Sequence, residues 1–256
     1  LKGFVVQPQE DRVYWIDQWE QEGPLTLHAA PLNVGPELEK RLFSQKSCVI
    51  LTSATLCTES SFAHIRERVG LEDGDELLVG SPFDYARAVL LLLPTDMPEP
   101  GAPQYHKSLA ETLAALARAM DGHTLALFTS HSSLRGTHRA IRSKLEAEGI
   151  RVLGQGVDGP PRRLVQSFSD NPKAVLLGTS SFWEGVDITG GILKALVLAR
   201  LPFNVPTEPL FAARSQLYED PFKQYAIPQA VLRFRQGFGR LIRSAEDRGV
   251  VVALDG

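Results

Sequence analysis

Cysteine is scarce in this 256-residue chain. Only Cys48 and Cys57 occur, and they show no metal-ligand spacing. That excludes a disulfide framework and fits a reducing compartment. No apolar run approaches the roughly 20 residues of a membrane-spanning helix, and no secretory leader is legible. Excess positive charge is missing as well. The net charge is -3, so a nucleic acid would have to be held by a local patch. No Gly-x-Gly-x-x-Gly follows a strand, which leaves a Rossmann-like transferase weakly supported. There is no internal repeat and no low-complexity tract. What is present is an apolar fraction of 43%, enough for a substantial core. The length suits one large α/β domain, or one domain and a piece of another. The chain opens at Leu1 without Met, and a fragment of a longer protein is expected.

Two β-like runs, Val13 to Ile16 and Leu25 to His28, flank Gly23-Pro24 as a hairpin would. A short helix is expected over 35–44. Cys48 to Leu51 is an apolar run with the mark of a strand buried on both faces. A helix over 60–69 and strands over 77–79 and 89–93 follow. The four prolines of 94–103 make that stretch the best linker candidate. The pattern then becomes regular. Helices are expected over 104–121, 132–148, 161–170, 207–219 and 228–244. Strands are expected over 124–128, 150–153, 173–177, 193–199 and 250–254. Strands of continuous Val, Ile, Leu and Ala that alternate with helices predict a parallel sheet sandwiched by helices.

In such sheets ligands bind beyond the carboxyl ends of the strands. The tips here carry Ser53 and Thr55, Thr129 to Ser132, Gly178 to Asp187, and Arg200 to Asn204. Small hydroxyl residues cap helices, and free amides at helix starts attract phosphate. For a single tip, ordinary capping is the better account. Four tips on one edge favour a phosphate-rich ligand. The helix expected over 228–244 would place Gln236, Arg240 and Arg243 on one face, where guanidinium groups suit a polyphosphate. Phe234, Leu241 and Ile242 would turn toward a core. Gly237 and Gly239 cost a helix roughly 1 kcal/mol each, which fits a close approach to it. A solvated basic helix accounts for the same segment equally well.

The order of these segments resembles a known family. Thr52-Ser53-Ala54-Thr55-Leu56 resembles helicase motif III, and Leu127-Phe128-Thr129-Ser130 resembles motif IV. The stretch from Gly178 to Asp187 is similar to motif V, and Gln236 through Arg243 to motif VI. With Gly80 to Phe83 and Leu201 to Pro206, they resemble the DinG branch of the XPD-like superfamily 2 DNA helicases, over about 46–256. The resemblance implies an α/β fold of RecA-like type, a P-loop NTPase-type second helicase domain at 76–256. Residues 1–75 would be a β-rich tail of helicase domain 1. It implies Arg240 and Arg243 as arginine fingers, with Gln236 ordering them or contacting the nucleotide, and Gly239 beside them. Glu184, Gly185 and Asp187 would couple nucleotide state to the DNA grip, and Ser53 and Thr55 would link hydrolysis to strand movement. Thr129, Ser130 and Ser180 would touch the DNA backbone. The implied ligands are ATP, Mg²⁺ and single-stranded DNA, and the implied partner is helicase domain 1 of the same polypeptide. A 5′ to 3′ DNA helicase of replication and repair is implied, in a bacterial cytoplasm at the nucleoid.

The departures from the family pattern are specific. No Gly-x-x-x-x-Gly-Lys-Ser/Thr occurs, and no Asp-Glu pair follows a buried strand. The four cysteines that hold an iron–sulfur cluster in many members have no counterpart here. The chain alone is expected to hydrolyse little or no ATP. Arg135, Arg139 and Arg142 share a helix face, and either a DNA-facing stripe or a solvated helix accounts for them. Phe182 and Trp183 are of a type that stacks on bases, but packing beneath the motif V segment is the better account of them, and His131 reads as a cap or surface residue. The alternative from another class is a non-enzymatic nucleotide- or nucleic-acid-binding α/β module.

Overall fold

The structure is a computed structural model that describes residues 8–18, 23–58, 60–183, 188 and 191–255. Its contacts gather into two units. One joins 1–79 with 203–232, and the other joins 80–202 with 233–256.

In the first unit, β1 (Arg12–Gln18) pairs antiparallel with β2 (Leu25–Pro31), as the hairpin pattern predicts. The Trp15 ring stacks on His28 with centroids 4.8 Å apart. Helices α1 (Gly35–Arg41) and α2 (Ala63–Val69) follow. Later in the chain, α8 (Pro209–Ser215) returns to this hairpin. Its Arg214 donates from Nε to the Leu32 carbonyl at 2.9 Å and from Nη2 to that of Pro31 at 3.0 Å.

Two expected strands do not form. Residues 48–51 and 77–79 are irregular, and Ile50 and Leu77 are each 82% exposed. A strand needs a neighbour to take its N–H and C=O groups, and neither run has one among the described residues. Their apolar composition marks burial without supplying a partner.

The second unit is built on six parallel strands in the order β3-β8-β7-β4-β6-β5. They are β3 (Val89–Leu92), β4 (Thr124–Leu127), β5 (Arg151–Gly154), β6 (Ala174–Gly178), β7 (Ala195–Leu198) and β8 (Gly249–Ala253). Successive strand residues turn to opposite faces, and both faces are buried. Ala126, Val175, Leu177 and Val197 join one core cluster, while Leu125, Leu127, Leu176 and Leu196 join the other. This double burial explains the unbroken apolar runs.

The single turn α3 (Tyr85–Ala88) leads into β3, and helices α4 (Tyr105–Ala119) and α5 (His131–Ala147) cover the first face. In α5 the buried residues Leu134, Thr137, His138, Ile141 and Leu145 recur every three or four positions, the period of one helix face. The other face is covered by α6 (Pro161–Asp170), the short α7 (Ser180–Trp183) and the end of α9 (Ile227–Phe238). The proline segment 94–103 is no boundary between the two units. It joins β3 to α4 within the second unit, with Met97 in the core.

The helix expected over 228–244 stops at Phe238. A π-helical turn, Phe222–Ala226, precedes it. At its end the hydrogen bonds shorten to i→i−3, from Arg240 N to Gly237 O at 3.1 Å and from Leu241 N to Phe238 O at 3.0 Å. Two glycines weaken the helix there. Leu241 and Ile242 are buried at 3% and 2% exposure and draw the chain down onto the sheet. Gln236, Arg240 and Arg243 therefore do not share one continuous helix face.

Candidate nucleotide and nucleic-acid site

Parallel strands end together, so the tips after β4, β5, β6, β7 and β8 line one edge of the sheet. Thr129 and Ser130 follow β4 and are exposed. Ser130 is the N-cap of α5. Its Oγ accepts from the Ser133 amide at 3.2 Å and lies 3.2 Å from Ser132 Oγ. The capping account of this serine thus holds, and it leaves the hydroxyl cluster facing outward at a helix start, where amide dipoles favour an anion.

Beside it, Thr179 follows β6 and is 4% exposed. Gln155, the first residue after β5, accepts at Oε1 from the Thr179 amide at 2.7 Å and from its Oγ1 at 3.0 Å. Its Nε2 donates to Ser181 Oγ at 2.8 Å. His131 Nε2 lies 3.3 Å from Thr179 Oγ1, so His131 takes part in a network as well as opening α5. Three strand tips and the start of two helices are thereby held in one hydrogen-bonded set. Gln155 carries a signal in the sequence, since it stands first after a strand, at the edge where open α/β sheets place ligand contacts.

Further along the edge, the Tyr105 hydroxyl donates to the Ala199 carbonyl. Burial, with the nearby Asp255 charge adding, pushes its phenol up to about 12, so it remains a donor at neutral pH. Asp255, after β8, accepts from the Leu201 amide at 3.2 Å and lies 3.6 Å from Arg200.

Ser180 begins α7. Glu184, Gly185 and Asp187 lie outside the described residues. Their flanks are fixed. Phe182 is buried at 1% exposure against Gly178, where an added Cβ would collide with its ring. That makes Phe182 a packing residue, as expected. Ile188 is buried on the same face, and a Cβ on Gly191 would stand 3.7 Å from Asp247 Oδ1.

The arginine-bearing turn occupies a different place. Leu241 packs on Gly249, the first residue of β8, where an added Cβ would meet Leu241 Cδ1 at 2.6 Å. The turn 239–243 therefore lies toward the amino ends of the strands, away from Ser130 and Thr179. Arg240, Arg243 and Gln236 are half-buried, and Gly239 is exposed. The Oε1 of Gln236 is buried and takes no hydrogen bond among the described residues. Asp247 Oδ2 accepts from the amides of Arg243 and Ser244, each at 2.8 Å. Burial pushes the Asp247 carboxyl up, but these amides, the Ser244 hydroxyl and the Arg243 charge hold it below the usual carboxylate range.

Ser53 and Thr55 lie in the first unit. Their hydroxyls are 3.2 Å apart, and Ser53 Oγ accepts from the Thr55 amide at 3.2 Å. Among the described residues no group of three His, Cys, Asp or Glu side chains is placed to hold a metal.

Residues 113–256 match the helicase C-terminal domain family. The chain is 38% identical to the 3′-5′ exonuclease DinG of Bacillus subtilis, over 96% of this chain and 28% of that protein. It is 36% identical to the ATP-dependent DNA helicase YoaA of Escherichia coli, over 94% of this chain and 38% of that protein. Among solved structures, an XPD helicase superposes with a TM-score of 0.69 at 17% identity, covering 90% of this chain and 42% of the other. The chain thus spans about a third of the length of the curated relatives it matches.

Proposed function

The chain belongs to the helicase C-terminal domain family, and from that premise we propose that it is the second motor portion of a DinG/XPD-like, ATP-dependent DNA helicase. Residues 1–75 are the tail of the first motor domain and 76–256 the second. The rest of the enzyme supplies the triphosphate cradle and Mg²⁺. No phosphate-cradling loop occurs in this chain, so alone it turns over little or no ATP.

The observation that carries this reading is the division of candidate residues within one sheet. The Thr129 and Ser130 hydroxyls and the helix-start amides at the carboxyl edge, with Ser180 at the start of α7, grip the backbone of single-stranded DNA without reading bases. Arg135 continues that grip. Arginines at the other end, Arg240 and Arg243, reach ATP. Such fingers are worth roughly 10³–10⁵ in rate, because they meet charge that develops on the transferring phosphoryl group. Fingers carried on a separate domain make hydrolysis depend on closure, as a 5′ to 3′ motor requires.

Gln236 orders the fingers. A buried acceptor without a donor costs about 1–3 kcal/mol, and a donor arriving with the nucleotide or the first motor domain removes that cost. Gly239 lets the turn approach closely. Glu184, Gly185 and Asp187 couple nucleotide state to the DNA grip. Ser53 and Thr55 link hydrolysis to strand movement from the side of the first domain.

The test is binding of labelled oligothymidylate to the chain. Replacing Thr129 and Ser180 together by Ala should weaken binding by about three- to tenfold, since each lost backbone contact is modest. Unchanged affinity would return the chain to the alternative, a nucleotide- or nucleic-acid-binding module with no strand-tip grip.

A further inference from the structure

The two outer strands of the six-stranded sheet are unlike. At one edge β5 is covered, with Val152 and Leu153 at 2% and 6% exposure. At the other edge β3 is bare. Leu90, Leu91 and Leu92, with Leu93 just past its end, are 57%, 49%, 39% and 64% exposed. Successive strand residues turn to opposite faces, so apolar side chains stand open on both faces of this edge. Continuous apolar sequence belongs to strands with cover on both faces. β3 pairs with β8 on one side and has no strand on the other among the described residues. Edge strands are ordinarily protected by charged residues or proline within the strand, and Val89-Leu90-Leu91-Leu92 holds neither.

The charges lie just outside the strand, with opposite signs at its two ends. Arg87 precedes it. With Lys194 and Arg248 it walls an open concavity of about 420 Å³ that also takes in Val89, Leu90 and Met120. The three cations are exposed and enter no ion pair among the described residues. Arg248 donates to the carbonyls of Ala245 and Asp247 at 2.9 and 2.7 Å. After the strand come Asp96 and Glu99, exposed and likewise without an ion pair among the described residues.

A segment that completes this edge must be extended and apolar, with acid at the end that meets Arg87. Run antiparallel, the chain's own β3 has that pattern. A two-fold axis sets equivalent strands antiparallel and makes every contact reciprocal. With the exposed run 90–93 centred on itself, Leu91 stands opposite Leu92 of the other copy, and Leu90 opposite Leu93. The same register carries Asp96 toward Arg87 at both ends. Pro94 has no N–H to give and ends the ladder there. We infer that β3 is a self-association edge, at which a second copy of the chain adds its own β3 antiparallel and joins the two sheets into one. Exposed ion pairs add little affinity, but they fix register and partner. The ladder is short, so the association is weak and depends on concentration.

The experiment is sedimentation equilibrium of the chain from about 1 μM to about 1 mM. The mass should rise from that of the monomer toward twice that value. Leu91→Lys puts a charge on the edge and should hold the chain at the monomer mass. Arg87→Glu and Asp96→Arg should each weaken self-association about tenfold, because like charges then face each other at both ends. An equimolar mixture of those two variants should associate within about threefold of the parent, since each copy offers the charge the other lacks. The substituted side chains are exposed, so far-UV circular dichroism should match the parent in every case.

A parent chain that stays monomeric over this range overturns the inference. So does self-association that survives Leu91→Lys, or a mixture that associates no better than its components, since the copies then meet elsewhere. A longer polypeptide that carries the first motor domain and stays monomeric where the chain dimerises also overturns it, and gives the edge to the rest of the same polypeptide.

Discussion

The side-chain carbonyl of Gln155 takes both polar hydrogens of Thr179, the amide at 2.7 Å and the hydroxyl at 3.0 Å. Two residues that are distant in sequence thereby fix the start of the segment that leads away from β6. Gln155→Leu leaves two buried donors of Thr179 without an acceptor, at a cost of about 1–3 kcal/mol in unfolding free energy. Urea denaturation should show this loss. Gln155→Glu retains an acceptor and should recover most of the stability, yet its charge should repel a phosphate and weaken oligothymidylate binding. Equal behaviour of the two variants in both measurements would contradict a positioning role.

Gly249 is the contact on which the arginine turn sits. An added Cβ would fall 2.6 Å from Leu241 Cδ1, in a buried position where the leucine has little room to retreat. Gly249→Ala should lower stability by about 1–3 kcal/mol, the usual range for overpacking. Because the strand tips lie at the other end of β8, oligothymidylate affinity of the folded variant should stay within about twofold of the parent. Denaturation and anisotropy on the same sample check both halves.

Asp158 gives an acid-dependent contribution. Burial pushes its carboxyl up, but the Gly154 amide, His138 and Arg142 together hold it below the usual carboxylate range. A carboxyl whose folded value is depressed stabilises the fold above its unfolded value, and that stability is lost as pH falls through the folded value. Asp158→Asn should therefore cost about 1–3 kcal/mol at neutral pH. The gap from the parent should close in the acid range below the ordinary carboxylate value. A gap that stays constant down to that range would show that the carboxylate charge is not what matters.

The sheet was readable because each central strand is buried on both faces. Leu125 and Leu127 enter one cluster while Ala126 and Phe128 enter the other, and nothing polar interrupts the run. The end of α9 was not readable. Phe234, Phe238, Leu241 and Ile242 keep helical spacing past the point where the helix stops, and all four pack on the same core cluster. The stop comes from tertiary contacts, Leu241 on Gly249 and the capture of two amides by Asp247. The runs at 48–51 and 77–79 carry the composition of buried strands, but composition does not supply a pairing partner. The separation of the hydroxyl tips from the arginine turn depends on which end of β8 the chain enters, and that is a property of topology.

In the proposed function Arg240 and Arg243 act on a triphosphate held by the rest of the enzyme. The most direct measurement is DNA-stimulated ATP hydrolysis, alongside nucleotide affinity, by the longer polypeptide that carries Arg240→Ala. ATP binding should stay within about threefold of the parent while turnover falls by roughly 10³–10⁵. Turnover that stays within about tenfold of the parent would contradict it.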